Sequence, residues 1–246
     1  MLYRFENKEQ LFALDRNDVA IIPVKELAKA IPDMGCTVWA EIPAIVYPGD
    51  EGKLRDNLTA LKEQGIDDVL CDNIGAIETA RELGLNAHGG LFLNIMNEDA
   101  IRVYRDLGLK DFIWSMETPF AEIRKVTEPA IPGAIAVYGY MPLMKFRACP
   151  KKAANGDSCK GCSGLSELTD RLGKKFPLIC RERKYSELLN CVPLYAADKS
   201  LPKNTELLIY FTKESKIEAE YISDLVKDRK SCDFEKTGGL YGRELL

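Results

Sequence analysis

A short pattern recurs along the chain and constrains its fold more than any other feature: an amphipathic helix, a glycine and a short apolar strand. It reads LKEQGIDDVLCDN at 61–73, ARELGLNAHGG at 80–90 and YRDLGLKDFIWSME at 104–117. In each copy the glycine occupies the position where a left-handed residue ends a helix. The strand that follows is short and apolar, as expected when it is covered on both faces. Helices and strands that alternate at this spacing predict parallel βαβ units.

Eight candidate strands follow from this pattern, and they predict an α/β fold of the (β/α)8 TIM-barrel-like type. The first units are very short, so the prediction includes a distorted or incomplete barrel. An open doubly wound sheet is the alternative, but no GxGxxG motif follows an early strand. The candidate strands are Leu2–Phe5, Val19–Val24, Thr37–Ile42, Asp68–Asp72, Asn86–Leu91, Phe112–Ser115, Ile135–Tyr138 and Glu206–Phe211. The candidate helices are Lys8–Leu14, Lys25–Ala30, Glu51–Gln64, Ile74–Leu83, Glu98–Leu107, Pro119–Val126 and Lys216–Asp228.

The segment 141–203 interrupts this pattern and is interpreted as a Cys-rich insertion before the last strand of a single domain, 1–246. Five of the eight cysteines lie in the stretch from Cys149 to Cys191. A chain of 246 residues can bury a core without disulfides, and its first residues, MLYRFENKEQ, lack the features of a signal peptide. We therefore expect a cytoplasmic protein whose clustered cysteines serve a metal or iron–sulfur site.

Four of these cysteines have the spacing of a ligand set: Cys149-x9-Cys159-x2-Cys162-x17-Cys180. A CxxC pair places two thiolates on one turn, and four thiolates can hold either a [4Fe–4S] cluster or zinc. Redox-active thiols and incidental cysteines are the alternatives. Cys191 is a candidate substitute ligand, although its apolar neighbours also suit a small buried side chain. The remaining cysteines are isolated and are interpreted as ordinary residues; they are Cys36, Cys71 and Cys232.

Charge and hydropathy exclude several classes of function. The formal net charge of −4 gives no electrostatic footprint for duplex DNA. The longest apolar runs, such as 19–24, are far below the roughly 20 residues that span a bilayer. The single histidine excludes a three-His zinc site, and the chain contains no HExxH motif, P-loop or Ser–His–Asp pattern.

In a barrel, polar residues at the carboxyl ends of the strands line the active site. His88 precedes two glycines that would let the backbone approach a ligand, which makes it a candidate catalytic residue; a structural histidine is the alternative. Glu117 is a candidate general base, or else a carboxylate at a helix start. The candidate substrate-binding residues are Asn94, Tyr140, Lys145 and Arg147, and further polar strand ends are Glu41, Asp72, Asn73 and Tyr138.

Several uncommon strings resemble the peptidase U32 family, the collagenase-like proteases. They are VYGYMPLMKFRACP at 137–150, CKGC at 159–162, LTDRLGKKFPLIC at 168–180, LLNCVPLYAADK at 188–199 and IGAIETARELGLNAHGGLFLNIMNEDAI at 74–101. The similarity runs from about residue 45 to the C-terminus and is closest to the C-terminal half of the longer members, whose opening "LLAPAG" strand is absent here.

This resemblance implies a barrel-like fold with a Cys-rich extension. Relatives use such cysteines to bind a [4Fe–4S] cluster and hydroxylate RNA bases or ubiquinone precursors, with prephenate as a proposed oxygen source; others are described as collagen-degrading peptidases. By this resemblance Cys149, Cys159, Cys162 and Cys180 are the cluster ligands. His88 matches the family's His-Gly position and Asn94 its Leu-Asn position.

The chain departs from the family pattern at three polar positions. The family's "YGR" ends in Tyr140 here, and its "HGD" ends in Gly90, so an arginine and a carboxylate are missing. The family's "TRGHFYRG" reads TGGLYG at 237–242, without its arginine and histidine. These losses bear on catalysis and leave the cysteines intact.

The expected function is an iron–sulfur barrel of the hydroxylase type, acting on an RNA base or a small aromatic substrate. The alternatives are a collagenase-like peptidase, for which the sequence supplies no recognisable machinery, and a non-catalytic accessory protein stabilised by a metal. A protein partner of the same family is also expected, whereas duplex DNA and a membrane are not.

Overall fold

The computed structural model describes residues 1–156 and 158–242, and it begins with seven parallel strands, each paired with the next. These strands are β1 (Leu2–Arg4), β2 (Val19–Pro23), β3 (Thr37–Glu41), β4 (Asp68–Cys71), β5 (Asn86–Gly89), β6 (Leu109–Ile113) and β7 (Gly133–Gly139). The helices between them are α1 (Val24–Leu27), α2 (Glu51–Glu63), α3 (Ile74–Glu82), α4 (Glu98–Asp106) and α5 (Phe120–Ile123).

The insertion forms its own antiparallel sheet in the order β8-β11-β10-β9. Its elements are β8 (Pro142–Phe146), α6 (Pro150–Ala154), β9 (Leu165–Thr169), β10 (Lys175–Arg181) and β11 (Tyr185–Leu189). A short strand, β12 (Leu194–Tyr195), then returns the chain to the barrel and pairs antiparallel with β7.

The last barrel strand, β13 (Thr205–Tyr210), lies between β7 and β1 and is parallel to both. It closes an eight-stranded parallel barrel, so the TIM-barrel-like prediction is confirmed and the barrel is complete. The final helix, α7 (Lys216–Lys227), starts with a capping box made by Ser215 and Glu218 and packs outside the barrel, where its Ser223 hydroxyl lies 3.1 Å from that of Tyr3. Among the described residues, none of the helices combines the length and the apolar character needed to cross a membrane.

The helix–glycine–strand pattern is built as the sequence predicts. Gly65, Gly84 and Gly108 have φ values of 86°, 65° and 105°, which place all three in the left-handed region just after a helix. In the first two units the next helix, α3 or α4, begins after an asparagine that caps it. The side chain of Asn73 accepts the Ala76 backbone N–H, and the side chain of Asn97 accepts that of Ala100. Asn73 is therefore a helix cap.

Several predicted elements differ from the structure near their ends. The segment predicted as a helix over 8–14 forms only a 3₁₀ turn, Lys8–Gln10, because the chain then extends and Phe12 packs edge-on against Tyr3 and Phe5. The helix predicted at 119–126 is reduced to α5, and the strand predicted at 112–115 starts earlier, at Leu109, directly after its glycine.

Candidate functional site

The carboxyl ends of the strands meet at one mouth of the barrel, where Arg4 is the centre of a buried ion network. Its guanidinium binds Glu41 of β3 in a two-pronged contact, with Nε 3.0 Å from Oε1 and Nη2 2.7 Å from Oε2. Its Nη1 donates to Glu6 Oε2 at 2.6 Å and to the Phe211 carbonyl at 3.0 Å. Because all three charged side chains are buried, removing one of them would leave its partners charged in a medium that solvates charge poorly.

Arg181 extends this network into the insertion. It donates to Glu6 Oε1 on the barrel side and, through Nη2 at 2.6 Å, to Glu187 of β11. Lys145 of β8 lies 3.7 Å from the other oxygen of Glu187 and places its ammonium 3.3 Å from the ring centroid of Phe92. Positive and negative groups thus alternate from the barrel into the insertion sheet. These ion pairs hold the sheet over the mouth of the barrel.

The titration of Glu6 reflects its position between two arginines. Burial alone would raise the pKa of this carboxyl. The positive charges of Arg4 and Arg181 outweigh burial and lower the pKa to about 2. Glu6 therefore stays ionised across the physiological range.

Asp72, the residue after β4, has a different environment. Its Oδ1 accepts the Phe92 backbone N–H at 3.0 Å. Burial, followed by repulsion from Glu41, raises the pKa of Asp72 to about 7, against smaller opposing effects of the Phe92 amide, Lys145 and Arg4. This carboxyl can consequently hold or release a proton near neutral pH.

A cavity of about 570 Å³ lies between this network and the helices α1 and α2. Its polar wall includes Arg4, Glu41, Asp72 and Tyr210 from the barrel and Arg181 and Glu187 from the insertion. Its apolar wall includes Val24, Ile45, Val46, Leu54 and Phe92. An apolar wall with a few convergent polar groups is the usual composition of a site for a small or ring-shaped ligand.

His88 lies inside the barrel and does not line this cavity. Its ring stacks on Trp39 with centroids 3.6 Å apart, and its nitrogens lie 2.7 Å from Asp111 Oδ2 and 3.1 Å from Asp68 Oδ1. Asp68 is the first residue of β4, so the imidazole is held from the end of the barrel where strands begin. The expectation of a rim position fails because β5 runs one residue beyond His88 and strand alternation turns its side chain inward.

The other predicted site residues are dispersed. Asn94 is exposed and left-handed, with φ 53°, and its Oδ1 accepts the Ser115 hydroxyl at 2.5 Å. Glu117 is exposed, and its backbone N–H bonds the same hydroxyl at 3.2 Å. The ring of Tyr140 contacts Lys213 at 4.4 Å, whereas Arg147 is exposed. None of these four residues lines the cavity; Lys145 reaches it through its contacts with Glu187 and Phe92.

Of the predicted metal cysteines, Cys180 lies on the face of the insertion sheet that points away from the cavity, and Cys149 lies beside Ser186 on that face. Arg181 points at the barrel, so its neighbour Cys180 faces the other way, as does Ser186, which is directly opposite Cys180 on β11. Burial raises the pKa of Cys149, but the Ser186 hydroxyl and the amides of Lys152 and Lys151 outweigh it, so the pKa of this thiol is lowered.

Three of the four sulfurs accept a backbone N–H from two or three residues further along the chain. The donor–sulfur distances are 3.5 Å from Lys152 to Cys149, 3.4 Å from Gly164 to Cys162 and 3.3 Å from Arg183 to Cys180. Hydrogen bonds from the backbone to ligand sulfurs are a common feature of metal and iron–sulfur sites. Cys191, the candidate substitute, instead lies beside the side chain of Asn190.

Over residues 1–156 and 158–242, no group of three or more His, Cys, Asp or Glu side chains is placed to hold a metal ion. The chemistry of the donor set nevertheless fits a cluster or zinc, because it supplies four thiols and amides directed at three of them. Binding would draw the four thiols together.

Sequence reasoning missed most of the cavity's charged wall. Arg4 and Glu6 are a local signal that was available, since charged residues at the end of an otherwise apolar barrel strand indicate an interior polar contact. The contact between Arg181 and Glu6 joins residues 175 positions apart, and no local pattern predicts it.

The family model of peptidase family U32 matches residues 15–160, which is more than half of the chain. The match includes six of the eight barrel strands and the first two of the four clustered cysteines, Cys149 and Cys159. No curated protein and no solved structure matches the chain significantly.

Proposed function

We propose that this chain, which belongs to peptidase family U32, is an iron–sulfur barrel of the hydroxylase type that acts on an RNA base or a small aromatic substrate. The observation that carries this proposal is the pair of opposite faces on one small sheet. One face bears Cys180 with amide-supported thiols around it, and the other supplies Arg181 and Glu187 to the wall of the cavity.

The residues that would hold a [4Fe–4S] cluster are Cys149, Cys159, Cys162 and Cys180. When bound, such a cluster supplies one-electron transfer, and the hydrogen bonds to its ligand sulfurs tune its potential. Cys180 and Arg181 are adjacent in sequence, so one residue that would hold the cluster and one residue of the cavity wall share strand β10. Zinc at the same thiols would instead make the site structural.

The chain's own groups suit an aromatic or heterocyclic ring. The apolar wall excludes water from a bound ring, and the network around Arg4 fixes the polar wall in one arrangement because each of its carboxylates is already paired. Asp72 adds a carboxyl that exchanges a proton near neutral pH. These are the binding, orienting and proton-holding roles that the proposed reaction requires.

Peptide hydrolysis is not favoured by this geometry. The single histidine is held between two aspartates inside the barrel, away from the cavity, so it cannot serve as a general base there. The cavity also lacks a serine or cysteine among its described lining residues.

Anaerobic purification followed by metal analysis tests the proposal. We expect a brown protein that absorbs near about 400 nm and carries about four irons per chain. Cys159→Ser should lose this iron, whereas Cys36→Ser, which changes an isolated cysteine on the barrel, should keep it. Zinc in place of iron, or unchanged iron in Cys159→Ser, would contradict the proposal.

A second measurement separates the peptidase alternative. We expect no cleavage of gelatin or peptides by the purified protein. Cleavage that survives removal of the metal and disappears in His88→Ala would overturn the assignment in favour of proteolysis.

A further inference from the structure

Asp72 is exceptional among the carboxylates of the cavity. Glu6, Glu41 and Glu187 each contact an arginine, and the two more exposed carboxylates, Asp50 and Glu182, contact Lys184. Of the described lining carboxylates, Asp72 alone has no cation within ion-pair distance. Its Oδ1 accepts the Phe92 amide, and among the described residues no donor reaches its Oδ2.

Gly90 explains how this carboxyl comes to lie there. A Cβ at position 90 would be 2.0 Å from Asp72 Oδ1 and 2.7 Å from its Cγ, so a side chain there would displace the Asp72 carboxyl from its observed position. The backbone of Gly90 has φ −87° and ψ 177°, a conformation that any residue adopts. Glycine at this position therefore leaves room for the Asp72 carboxyl, whereas the conformation of the chain does not call for it.

The pattern that this chain resembles ends its His-Gly-Asp string with a carboxylate at position 90. We infer that Asp72, reaching across from β4, supplies that missing carboxylate, and that its unpartnered oxygen accepts a hydrogen bond from an O–H or N–H group on a ring bound in the cavity. This inference deepens the proposed function by naming a feature of the substrate, a hydrogen-bond donor on the ring, and it rests on the cavity being the substrate site.

The groups around Asp72 act in opposite directions on its ionisation. Glu41 on β3 repels the ionised carboxylate, while Lys145 on β8 and Arg4 on β1 attract it, and burial opposes ionisation most. An ionised carboxylate is the stronger acceptor, so its preference for a donor-bearing ring should rise with pH as Asp72 loses its proton.

Phenol and anisole are suitable probes because they have similar size and only phenol donates a hydrogen bond. Binding is measured by ligand-observed NMR titration on the full-length protein. At about pH 8 we expect phenol to bind about tenfold more tightly than anisole, as a hydrogen bond to a charged group implies. The ratio should fall when the pH is lowered to about 6.

Two substitutions at position 72 assign the effect. Asp72→Asn keeps the shape and an acceptor but does not titrate, so its phenol-to-anisole ratio should be independent of pH. Asp72→Leu keeps a similar shape without an acceptor, and its ratio should approach one. An undiminished, pH-dependent ratio in both variants would overturn the inference; if Asp72→Leu does not fold, the pH profile of Asp72→Asn decides.

An exchange of the two positions gives a sharper test. Gly90→Asp alone should disrupt packing, since its side chain collides with Asp72, whereas the double variant Asp72→Gly with Gly90→Asp should regain thermal stability and the preference for phenol. A double variant no more stable than Gly90→Asp alone would contradict the exchange.

The probe experiments need no iron. A metal-free protein that retains an Asp72-dependent preference would preserve this inference while the proposed iron–sulfur function fails. An iron-loaded protein whose phenol preference ignores position 72 would show the opposite.

Discussion

The two faces of the insertion sheet differ in how complete they are. On the face toward the barrel, Arg181 and Glu187 are joined to each other and, through Glu6, to Arg4. On the opposite face, Cys180 and its neighbours present thiols that are half-buried or exposed, and three of the four accept a backbone N–H. Arg181 therefore belongs to a face of the sheet whose charges are all paired, here called the closed face. Its neighbour Cys180 belongs to a face of free thiols, here called the open face.

This difference indicates which face is stabilised by the protein alone. Buried charges that all have partners fix a geometry, because any rearrangement exposes a charge to a medium of low polarity. Exposed thiols carry no such penalty and are free to rearrange around a ligand. The sheet is thus fastened on its cavity face, which leaves its cysteine face available for binding.

Removing Arg4, the centre of the buried ion network, should have the largest effect on stability. Arg4→Met removes the partner of two buried carboxylates, so we expect it to lower the free energy of unfolding by about 3–5 kcal/mol. Chemical denaturation measures this, and Arg147→Met, which removes an exposed arginine, is the matched control with an expected change within about 0.5 kcal/mol. Equal effects of the two variants would show that the network does not stabilise the barrel.

Removing Arg181, which joins this network to the insertion sheet, should have a smaller and more local effect on stability. Arg181→Met frees Glu6 and Glu187 at the contact between insertion and barrel, with an expected loss of about 2–3 kcal/mol. Hydrogen exchange should accelerate in β8–β11 more than in β2–β5, because the sheet loses its buried attachment to Glu6 while the barrel keeps Arg4. Uniform acceleration across both regions would argue against a separate attachment.

The barrel itself was predictable because its signal is local and repeated. Three helices, α2, α3 and α4, end at a glycine such as Gly84, and the strands are short apolar runs, so eight strands could be located from the sequence and all eight form the barrel. The short helices were less predictable, since packing of side chains such as Phe12 decides whether a turn continues.

The site was less predictable because it depends on what surrounds each strand residue in the fold. His88 and Asp72 both stand near strand ends in the sequence, yet His88 is enclosed by Trp39 and two aspartates, whereas Asp72 lines the cavity. The wall contributed by Arg181 depends on how the insertion docks, which no local pattern encodes. The cysteine spacing is the exception: it is local, and the prediction that it binds a metal stays a prediction.

Replacing Asp72, on the barrel side of the cavity, should change the stability less, and its pKa fixes the sign of that change. This pKa is raised from an ordinary 3.8 to about 7, so the native state binds a proton that the unfolded state has already lost between these values. Stability should therefore fall as pH rises from about 4 to about 7 and then level off. In denaturation at about pH 8, Asp72→Asn should be more stable than the wild type by roughly 1–3 kcal/mol, and its stability should vary less across that window. A variant that is less stable than the wild type at this pH would show that the ionised carboxylate is well accommodated.

The smallest effect should come from the open face, and it sharpens the comparison most directly. Cys162 is exposed, so in metal-free protein Cys162→Ser should change the free energy of unfolding by less than about 0.5 kcal/mol. Cys71, fully buried in the barrel core, is the matched control, and Cys71→Ser should cost about 1–3 kcal/mol because it buries a hydroxyl among apolar neighbours. If loading with iron then makes Cys162→Ser costly while Cys71→Ser is unchanged, the open face gains its stability from the ligand. If Cys162→Ser is already costly without metal, the thiols are part of the folded scaffold and the two faces do not differ as argued.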